Sequence, residues 1–222
     1  MKYSDINFNN KIILITGGAG FIGSSIAFYL QDNYPDVNII IFDCFRNNEF
    51  LPNGNLLSYG HYKNLIGFKG EVICGNINSK DDLSLLSNYK FDYIFHQAAI
   101  SDTRAYNQEM VMKTNVNSFY DLLKIAKKNQ SVMVYASSAA TYGGLPSPQV
   151  EGNESPENPY GYSKLLMDQI AFRYANENPN MTIVGLRFFN VYGPREFYKA
   201  KTSSMIIQLG HQILDNKSPR LF

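Results

Sequence analysis

Short apolar runs alternate with longer amphipathic stretches along this chain of 222 residues. The runs are rich in Ile, Val and Phe and end at glycine or polar residues, as buried strands of a parallel sheet do. They predict strands at residues 11–16, 37–43, 71–75, 91–96, 131–136 and 182–188.

The stretches between these runs repeat apolar residues at the spacing of one helix face. The clearest case is the helix predicted at 107–128, whose apolar positions include Met112, Val116, Phe119, Leu123 and Ala126. The other predicted helices cover residues 20–31, 80–86, 160–176 and 203–214. Residues 44–70 are irregular and rich in Asn and Gly, with only a short helix predicted near 60–65.

Strands that alternate with helices indicate βαβ units and a parallel sheet covered on both faces. The predicted fold class is therefore α/β, with a doubly wound parallel sheet. In such sheets a ligand binds at the carboxyl ends of the strands, at the point where the strand order reverses.

Composition narrows the class of protein. Hydrophobic residues make up 45% of the chain, and 20 Lys and Arg against 19 Asp and Glu leave a net charge of +1. This balance gives no basic surface for nucleic acid, and no apolar run reaches the roughly 20 residues of a membrane span. Cys44 and Cys74 lack the spacing of a metal or redox motif. We expect a cytoplasmic protein with no nucleic-acid or membrane partner and no metal site.

The first predicted strand runs directly into Gly17, Gly20 and Gly23, spaced G-x-x-G-x-x-G, and then into a helix. Glycine permits a tight turn and a close approach of the backbone to a pyrophosphate, which the helix N-terminus attracts. A strand before and a helix after the glycines are the context in which this motif binds dinucleotides. We therefore predict a Rossmann dinucleotide site that includes Phe21 and Ile22 of the same turn.

Asp43 ends the second predicted strand, and Arg46 follows shortly after it. An acid at this place usually accepts the ribose 2′-OH of NAD. A nearby guanidinium can instead bind the 2′-phosphate of NADP. The two residues favour different cofactors, and the sequence leaves the choice between NAD and NADP open.

Tyr160 and Lys164 form a Y-x-x-x-K motif at the start of a predicted helix. This spacing places both side chains on one helix face, where an ammonium would lower the tyrosine pKa from its usual value of about 10. Such a tyrosine can take the proton of a substrate hydroxyl and later return it. Ser137 and Ser138, at the end of the fifth predicted strand, add a hydroxyl that we expect to face the substrate.

The stretches GGAGFIG near the start, YASSAATYGG at 135–144 and YGYSK at 160–164 resemble the extended short-chain dehydrogenase/reductase family. The resemblance implies that Tyr160 is the acid/base, that Lys164 tunes it and binds ribose, and that Ser138 orients the substrate. It also implies cofactor contacts at Asn76, Ile77, Gln97, Ala98, Ala99, Asn115 and Val191. The family more often has Asp at position 76, so this chain departs from the pattern there.

Two features indicate one branch of that family. Ser138-Ala139-Ala140 lacks the two acids that the family's nucleotide-sugar dehydratases carry after this strand. The stretch RFFNVYGPREFYKAKTSSM at 187–205 is similar to the epimerases that invert C6″ of ADP-heptose. That resemblance implies transient oxidation of the sugar with bound NADP, with NAD possible, and ADP-heptose as the small-molecule partner.

Inversion by this route needs acid/base groups on two sides of the sugar carbon. The resemblance puts the second group at Lys199, with Lys201 as a rival because the interval from Lys199 to Met205 is longer than the family's usual spacing. It also implies substrate contacts at Asn190, Ser204 and His211.

The resemblance divides the chain into a cofactor-binding domain, 1–188, and the beginning of a substrate-binding region, 189–222. Enzymes of the family are longer, so we expect later segments to complete the substrate site and this chain alone to have weak activity or none. We also expect a homo-oligomer. Two alternatives stay open: a 4-epimerase of a nucleotide-linked hexose, and a cofactor-binding fragment without complete catalysis.

Overall fold

The computed structural model describes residues 6–220, which contain a six-stranded parallel sheet. Its strands are β1 (Ile12–Thr16), β2 (Asn38–Asp43), β3 (Glu71–Cys74), β4 (Tyr93–His96), β5 (Val132–Ser138) and β6 (Ile183–Phe188). Their order across the sheet is β3-β2-β1-β4-β5-β6. The order reverses between β1 and β4, which is where a doubly wound sheet binds its ligand.

Helices connect successive strands. The α-helices are α1 (Phe21–Asn33), α2 (Lys80–Ser84), α3 (Gln108–Val111), α4 (Ser118–Asn129), α5 (Pro159–Glu177) and α6 (Met205–Leu214). A π-helical turn, Met112–Asn117, joins α3 to α4. Shorter 3₁₀ helices occur at Tyr62–Leu65, Leu85–Asn88, Ala139–Thr141 and Glu196–Thr202. No helix within residues 6–220 is long and apolar enough to cross a membrane.

Two apolar clusters hold the sheet between its helices. The larger cluster joins Leu14 of β1 to Phe119 of α4 and Ile170 of α5. The smaller cluster contains Ile13 and Ile15 of the same strand and packs against α1. Neighbouring residues of β1 thus enter different clusters, because successive side chains of a strand point to opposite faces of the sheet.

The predicted alternation of strands and helices is confirmed, and so is the α/β fold class. Three local predictions differ from the structure. The fifth strand continues past residue 136, because Ser137 and Ser138 still pair with β6. The helix predicted at 107–128 contains the π-helical turn, and the one predicted at 80–86 ends in a 3₁₀ helix.

Candidate active site

A large cavity, about 1330 Å³ in volume, opens at the carboxyl edge of the sheet. It is lined by the glycine turn after β1, by the ends of β2 and β5, by the loop that follows β4, by the start of α5 and by residues that follow β6. The segments that the sequence motifs single out therefore meet in one place, beside the reversal of strand order.

The turn between β1 and α1 lines the cavity with the backbone atoms of glycine residues. Gly17 has φ +70°, and a Cβ there would lie 2.6 Å from the Ala98 amide nitrogen, so a larger residue would not fit. Gly23 packs against the backbone of the same turn with no room for a Cβ. Gly20 begins α1 without a side-chain cap, which leaves the first helical amides available to an anion such as a pyrophosphate.

Asp43 ends β2 and is buried beside the glycine turn. Its carboxylate accepts hydrogen bonds from the Ala19 and Phe45 amides, at 2.9 and 2.7 Å. Burial raises the pKa of Asp43, although the two amide hydrogen bonds act in the opposite direction. Gly60 lies against this carboxylate, where a Cβ would overlap it, so the 44–60 loop packs closely over the end of β2.

Arg46 lies in the 44–60 loop, but its side chain does not line the cavity. Its Nη2 donates to the carbonyl oxygens of Tyr198, at 2.5 Å, and Tyr59, at 3.5 Å. Its Nε is buried and has no hydrogen-bond partner among the described residues. Arg46 therefore links the 44–60 loop to the segment that carries Tyr198.

Tyr160, Ser138 and Lys164 meet at the junction of β5 and α5. Asn158 caps α5 by accepting a hydrogen bond from the Gly161 amide at 2.9 Å, which fixes the start of the helix beside the strand end. Burial raises the pKa of Tyr160, and the nearby Ser138 hydroxyl acts in the opposite direction. The raised pKa is opposite to the direction that the sequence motif predicts.

Lys164 explains the difference. Its ammonium donates to the Ala136 carbonyl at 2.7 Å and lies 5.8 Å from the centre of the Tyr160 ring, so it points along β5 and away from a direct bond with the phenol. Burial lowers the pKa of Lys164 to about 8, and Asp168 partly opposes this shift. A lysine with this pKa is still mostly protonated at neutral pH, so its weak effect on Tyr160 follows from its position and not from loss of its charge.

A partly buried polar network behind this junction is not evident from the sequence motifs. Asp168, one turn after Lys164, accepts hydrogen bonds from Tyr135 at 2.8 Å, Ser137 at 3.0 Å and Arg187 at 2.9 Å. Arg187 also pairs with Glu154 at 2.6 Å. The only local sign of this network in the sequence is the spacing of Asp168 from Lys164, because the other members of the network come from β5, β6 and a distant loop.

The 3₁₀ helix Glu196–Thr202, which we call the strap, brings Lys199 to the cavity. The Lys199 ammonium lies 5.9 Å from the centre of the Phe21 ring, and burial lowers its pKa while Glu196 acts against this shift. Lys201 is exposed and does not line the cavity. The Tyr198 ring stacks on His61, with ring centres 4.1 Å apart.

Most of the other predicted site residues line the same cavity: Phe21, Ile22, Asn76, Ile77, Gln97, Ala98, Ala99, Asn190, Val191 and Ser204. The Gln97 Oε1 atom is buried with no hydrogen-bond partner in the described part of the chain. Ser204 caps α6 and donates to Glu196 at 2.9 Å.

Besides Arg46, two predicted site residues lie outside the cavity lining. Asn115 is fully buried, accepts from the Ile100 amide at 2.9 Å and donates to Ser163 at 2.9 Å, so it braces the loop after β4 against α5. His211 is exposed on α6, with its ring 5.6 Å from that of Phe197. The sequence motifs also miss Asn47 and Glu49 of the 44–60 loop, which line the cavity but carry no recognisable pattern.

A family model described as the NAD dependent epimerase/dehydratase family matches residues 13–222. The chain belongs to this family. The resemblance that the glycine, YASSAATYGG and YGYSK motifs predict is thus confirmed at family level.

Solved structures share this family's fold with the chain. ADP-L-glycero-D-manno-heptose-6-epimerase from Helicobacter pylori is 52% identical, with a TM-score of 0.87 over 96% of this chain and 66% of that chain. UDP-N-acetylglucosamine 4-epimerase from Methanobrevibacter ruminantium, in complex with UDP-N-acetylmuramic acid, is 27% identical, with a TM-score of 0.81 over 96% and 66%. dTDP-glucose 4,6-dehydratase from Bacillus anthracis, in complex with NAD, is 26% identical, with a TM-score of 0.76 over 96% and 64%. The chain spans slightly less than two thirds of each of these proteins.

Proposed function

We propose that the protein is a nucleotide-sugar epimerase that inverts C6″ of ADP-heptose with a bound nicotinamide dinucleotide. One observation carries the proposal: Tyr160 and Lys199, two side chains able to move a proton, line the same cavity from different elements. The 52% identity to the Helicobacter pylori ADP-L-glycero-D-manno-heptose-6-epimerase supports the choice of sugar. Ala139 and Ala140 stand where a dehydratase would need its acids, which argues against elimination of water.

The residues present fit a dinucleotide. The glycine turn offers backbone amides to the pyrophosphate, Asp43 offers acceptor oxygens to the adenosine ribose, and Lys164 lies where it would bind the second ribose. The unpartnered oxygen of Gln97 adds a polar contact in the same cavity. When bound, the nicotinamide ring accepts a hydride from the sugar carbon and later returns it.

The protein's own part in the first half of the reaction is proton removal. Tyr160 takes the proton of the sugar hydroxyl while that carbon becomes a carbonyl, and Ser138, which lines the same cavity, orients the oxygen. Burial of Tyr160 resists this step by raising its pKa, and the nearby Ser138 hydroxyl only partly opposes that shift.

The second half needs a proton from another direction. A carbonyl carbon is planar, so inversion would require the sugar to present its opposite face to the place where the glycine turn and Lys164 would hold a dinucleotide. The oxygen then lies away from Tyr160, and Lys199 donates the proton to it. Burial lowers the pKa of Lys199, which makes proton release easier near neutral pH. Both side chains then recover their starting protonation by exchange with water.

Turnover of defined substrates tests the proposal. Purified protein is incubated with ADP-D-glycero-D-manno-heptose or with UDP-linked hexoses, and the products are followed by NMR. We expect slow inversion at C6″ of the ADP-heptose by this chain alone and no change in the hexoses. Inversion of a hexose at C4 would support a 4-epimerase instead, an alternative favoured by the UDP-sugar 4-epimerases at 27% and 26% identity. Binding of a dinucleotide without any turnover would support a cofactor-binding chain without complete catalysis.

A cytoplasmic location and a homo-oligomer stay predictions.

A further inference from the structure

We infer that Asp168 is a positioning residue, whose carboxylate fixes the end of β5 against α5 and supplies the counter-charge of the buried Lys164. The inference rests on the proposed function, because it assigns the support of the same proton-transfer groups. Its basis is the set of hydrogen bonds that Asp168 and Lys164 make to three consecutive residues of β5.

Asp168 and Lys164 are one helical turn apart on α5 and therefore share the helix face that lies against β5. Oδ1 of Asp168 accepts from the Tyr135 hydroxyl at 2.8 Å, and Oδ2 accepts from the Ser137 hydroxyl at 3.0 Å. Between them, the Ala136 carbonyl accepts from the Lys164 ammonium at 2.7 Å. The two side chains thus bind three residues in succession, immediately before the serine of the candidate active site.

This attachment sets the register of the candidate active site. Ser138 is the next residue of β5, and Tyr160 lies one turn before Lys164 on α5. Asp168 does not line the cavity. Because it fixes the strand and the helix to each other, it acts on the placement of Ser138 relative to Tyr160 without touching a bound substrate.

Asp168 is also the charge that balances the Lys164 ammonium. Within residues 6–220 no ion pair joins this ammonium directly to a carboxylate. Burial lowers the pKa of Lys164 to about 8, and the Asp168 carboxylate acts against that shift. Two further titratable groups face Lys164, and both are uncharged at neutral pH: burial raises the pKa of Tyr160 on α5 and lowers that of His96 on β4 to about 3.

Tyr135 of β5 and Arg187 of β6 are the titratable groups that face Asp168 from the sheet. Burial raises the pKa of Tyr135, so this tyrosine stays neutral. Arg187 donates from Nε to Asp168 at 2.9 Å, and its Nη1 pairs with Glu154 of the loop before α5 at 2.6 Å. Two carboxylates and one guanidinium leave one negative charge, which the Lys164 ammonium balances.

The direct test is an NMR titration of the lysine side chains, in which the Lys164 signal is identified by its absence from Lys164→Met. In Asp168→Asn we expect the pKa of Lys164 to fall by about one unit, a tenfold change in its protonation equilibrium. Asp168→Glu keeps the charge and should restore most of the pKa. Glu154→Gln removes a carboxylate of the same network on the far side of Arg187, and this matched control should shift the pKa much less.

Turnover of ADP-heptose gives a second readout. Asp168→Asn should lower kcat by about tenfold and change KM less, because the carboxylate lies outside the cavity. Lys164 would lose its proton at a lower pH, so the pH above which kcat declines should also move down by about one unit. A residue that only stabilised the fold would lower the melting temperature and leave both the titration and the pH profile in place.

Arg187→Gln keeps the inference testable if Asp168→Asn does not fold. This variant removes the cation that competes for the Asp168 carboxylate, so the pKa of Lys164 should rise. An unchanged Lys164 pKa in either folded variant, or an equal shift in Glu154→Gln and Asp168→Asn, would overturn the inference. Absence of any turnover by the unmodified protein would count against the proposed function, whereas the titration needs no substrate and would still decide the role of Asp168.

Discussion

Two parts of the cavity each supply a lysine, yet they are built differently. One is the wall formed by β5 and α5, and the other is the strap, Glu196–Thr202. Lys164 of the wall is 2% exposed, and its ammonium bonds to the backbone of the neighbouring strand. Lys199 lies on a 3₁₀ helix that is held by the Arg46 hydrogen bond, by the stacking of Tyr198 on His61 and by Glu196. In the proposed mechanism these two parts divide the work: the wall holds Tyr160 for one proton transfer, and the strap presents Lys199 for the other.

Removing the wall's proton-transfer group should have the largest effect. Tyr160→Phe deletes only a hydroxyl, so the cavity keeps its shape while the sugar proton has no acceptor. We expect turnover to fall by about 10²–10⁴-fold, the usual contribution of a general base, with little change in dinucleotide affinity. Steady-state kinetics and calorimetry measure the two effects. Activity within about tenfold of the unmodified protein would place the base elsewhere.

The strap gives the next prediction. Lys199→Ala should lower turnover by about 10²-fold, whereas Lys201→Ala, on the same 3₁₀ helix but exposed, should leave turnover nearly unchanged. Kinetics on ADP-heptose measure both variants.

Lys199→Arg shows whether the charge or the proton matters. Arginine keeps the positive charge but does not release its proton at ordinary pH, so it should not restore turnover. Recovery in Lys199→Arg, or a larger loss in Lys201→Ala than in Lys199→Ala, would contradict the assignment of Lys199.

The smallest expected effect concerns the pH dependence of the free energy of unfolding. It compares a histidine of the sheet, His96, with a histidine of the segment after the strap, His211. His96 of β4 is buried, with Nδ1 2.7 Å from the Thr16 hydroxyl, and burial lowers its pKa from 6.5 to about 3. Below pH 6.5 the His96 imidazole is protonated in the unfolded chain but stays neutral in the folded protein. The free energy of unfolding therefore decreases as the pH falls toward 3. Between pH 6.5 and about pH 5 the loss from this residue should be about 2 kcal/mol.

Urea unfolding at the two pH values measures this loss. His96→Gln should reduce the difference in unfolding free energy between the two pH values, while His211→Gln, on exposed α6, should not. Equal pH dependence in the unmodified protein and His96→Gln would mean that the imidazole becomes protonated in the folded state.

The parts of the fold and site that the sequence predicts are those with a local pattern. β1, the glycine turn and α1 follow one another directly, and Tyr160 and Lys164 are one helical turn apart. The strap differs, because Arg46 contacts the backbone carbonyl of Tyr198, 152 residues away, and any residue at position 198 offers that carbonyl. The sequence also does not give the orientation of a side chain. The motif places Lys164 near Tyr160, but only the structure shows that the Lys164 ammonium donates to the Ala136 carbonyl.

The π-helical turn Met112–Asn117 affects which changes in chain length this region can tolerate. A π-helical turn holds one residue more than an α-helical turn, so deletion of one residue would allow α3 and α4 to join as a regular α-helix. The same deletion would rotate Asn115 away from Ile100 and Ser163, to which it is hydrogen-bonded. The number of residues in this helix is therefore constrained by the hydrogen bonds of one buried side-chain amide.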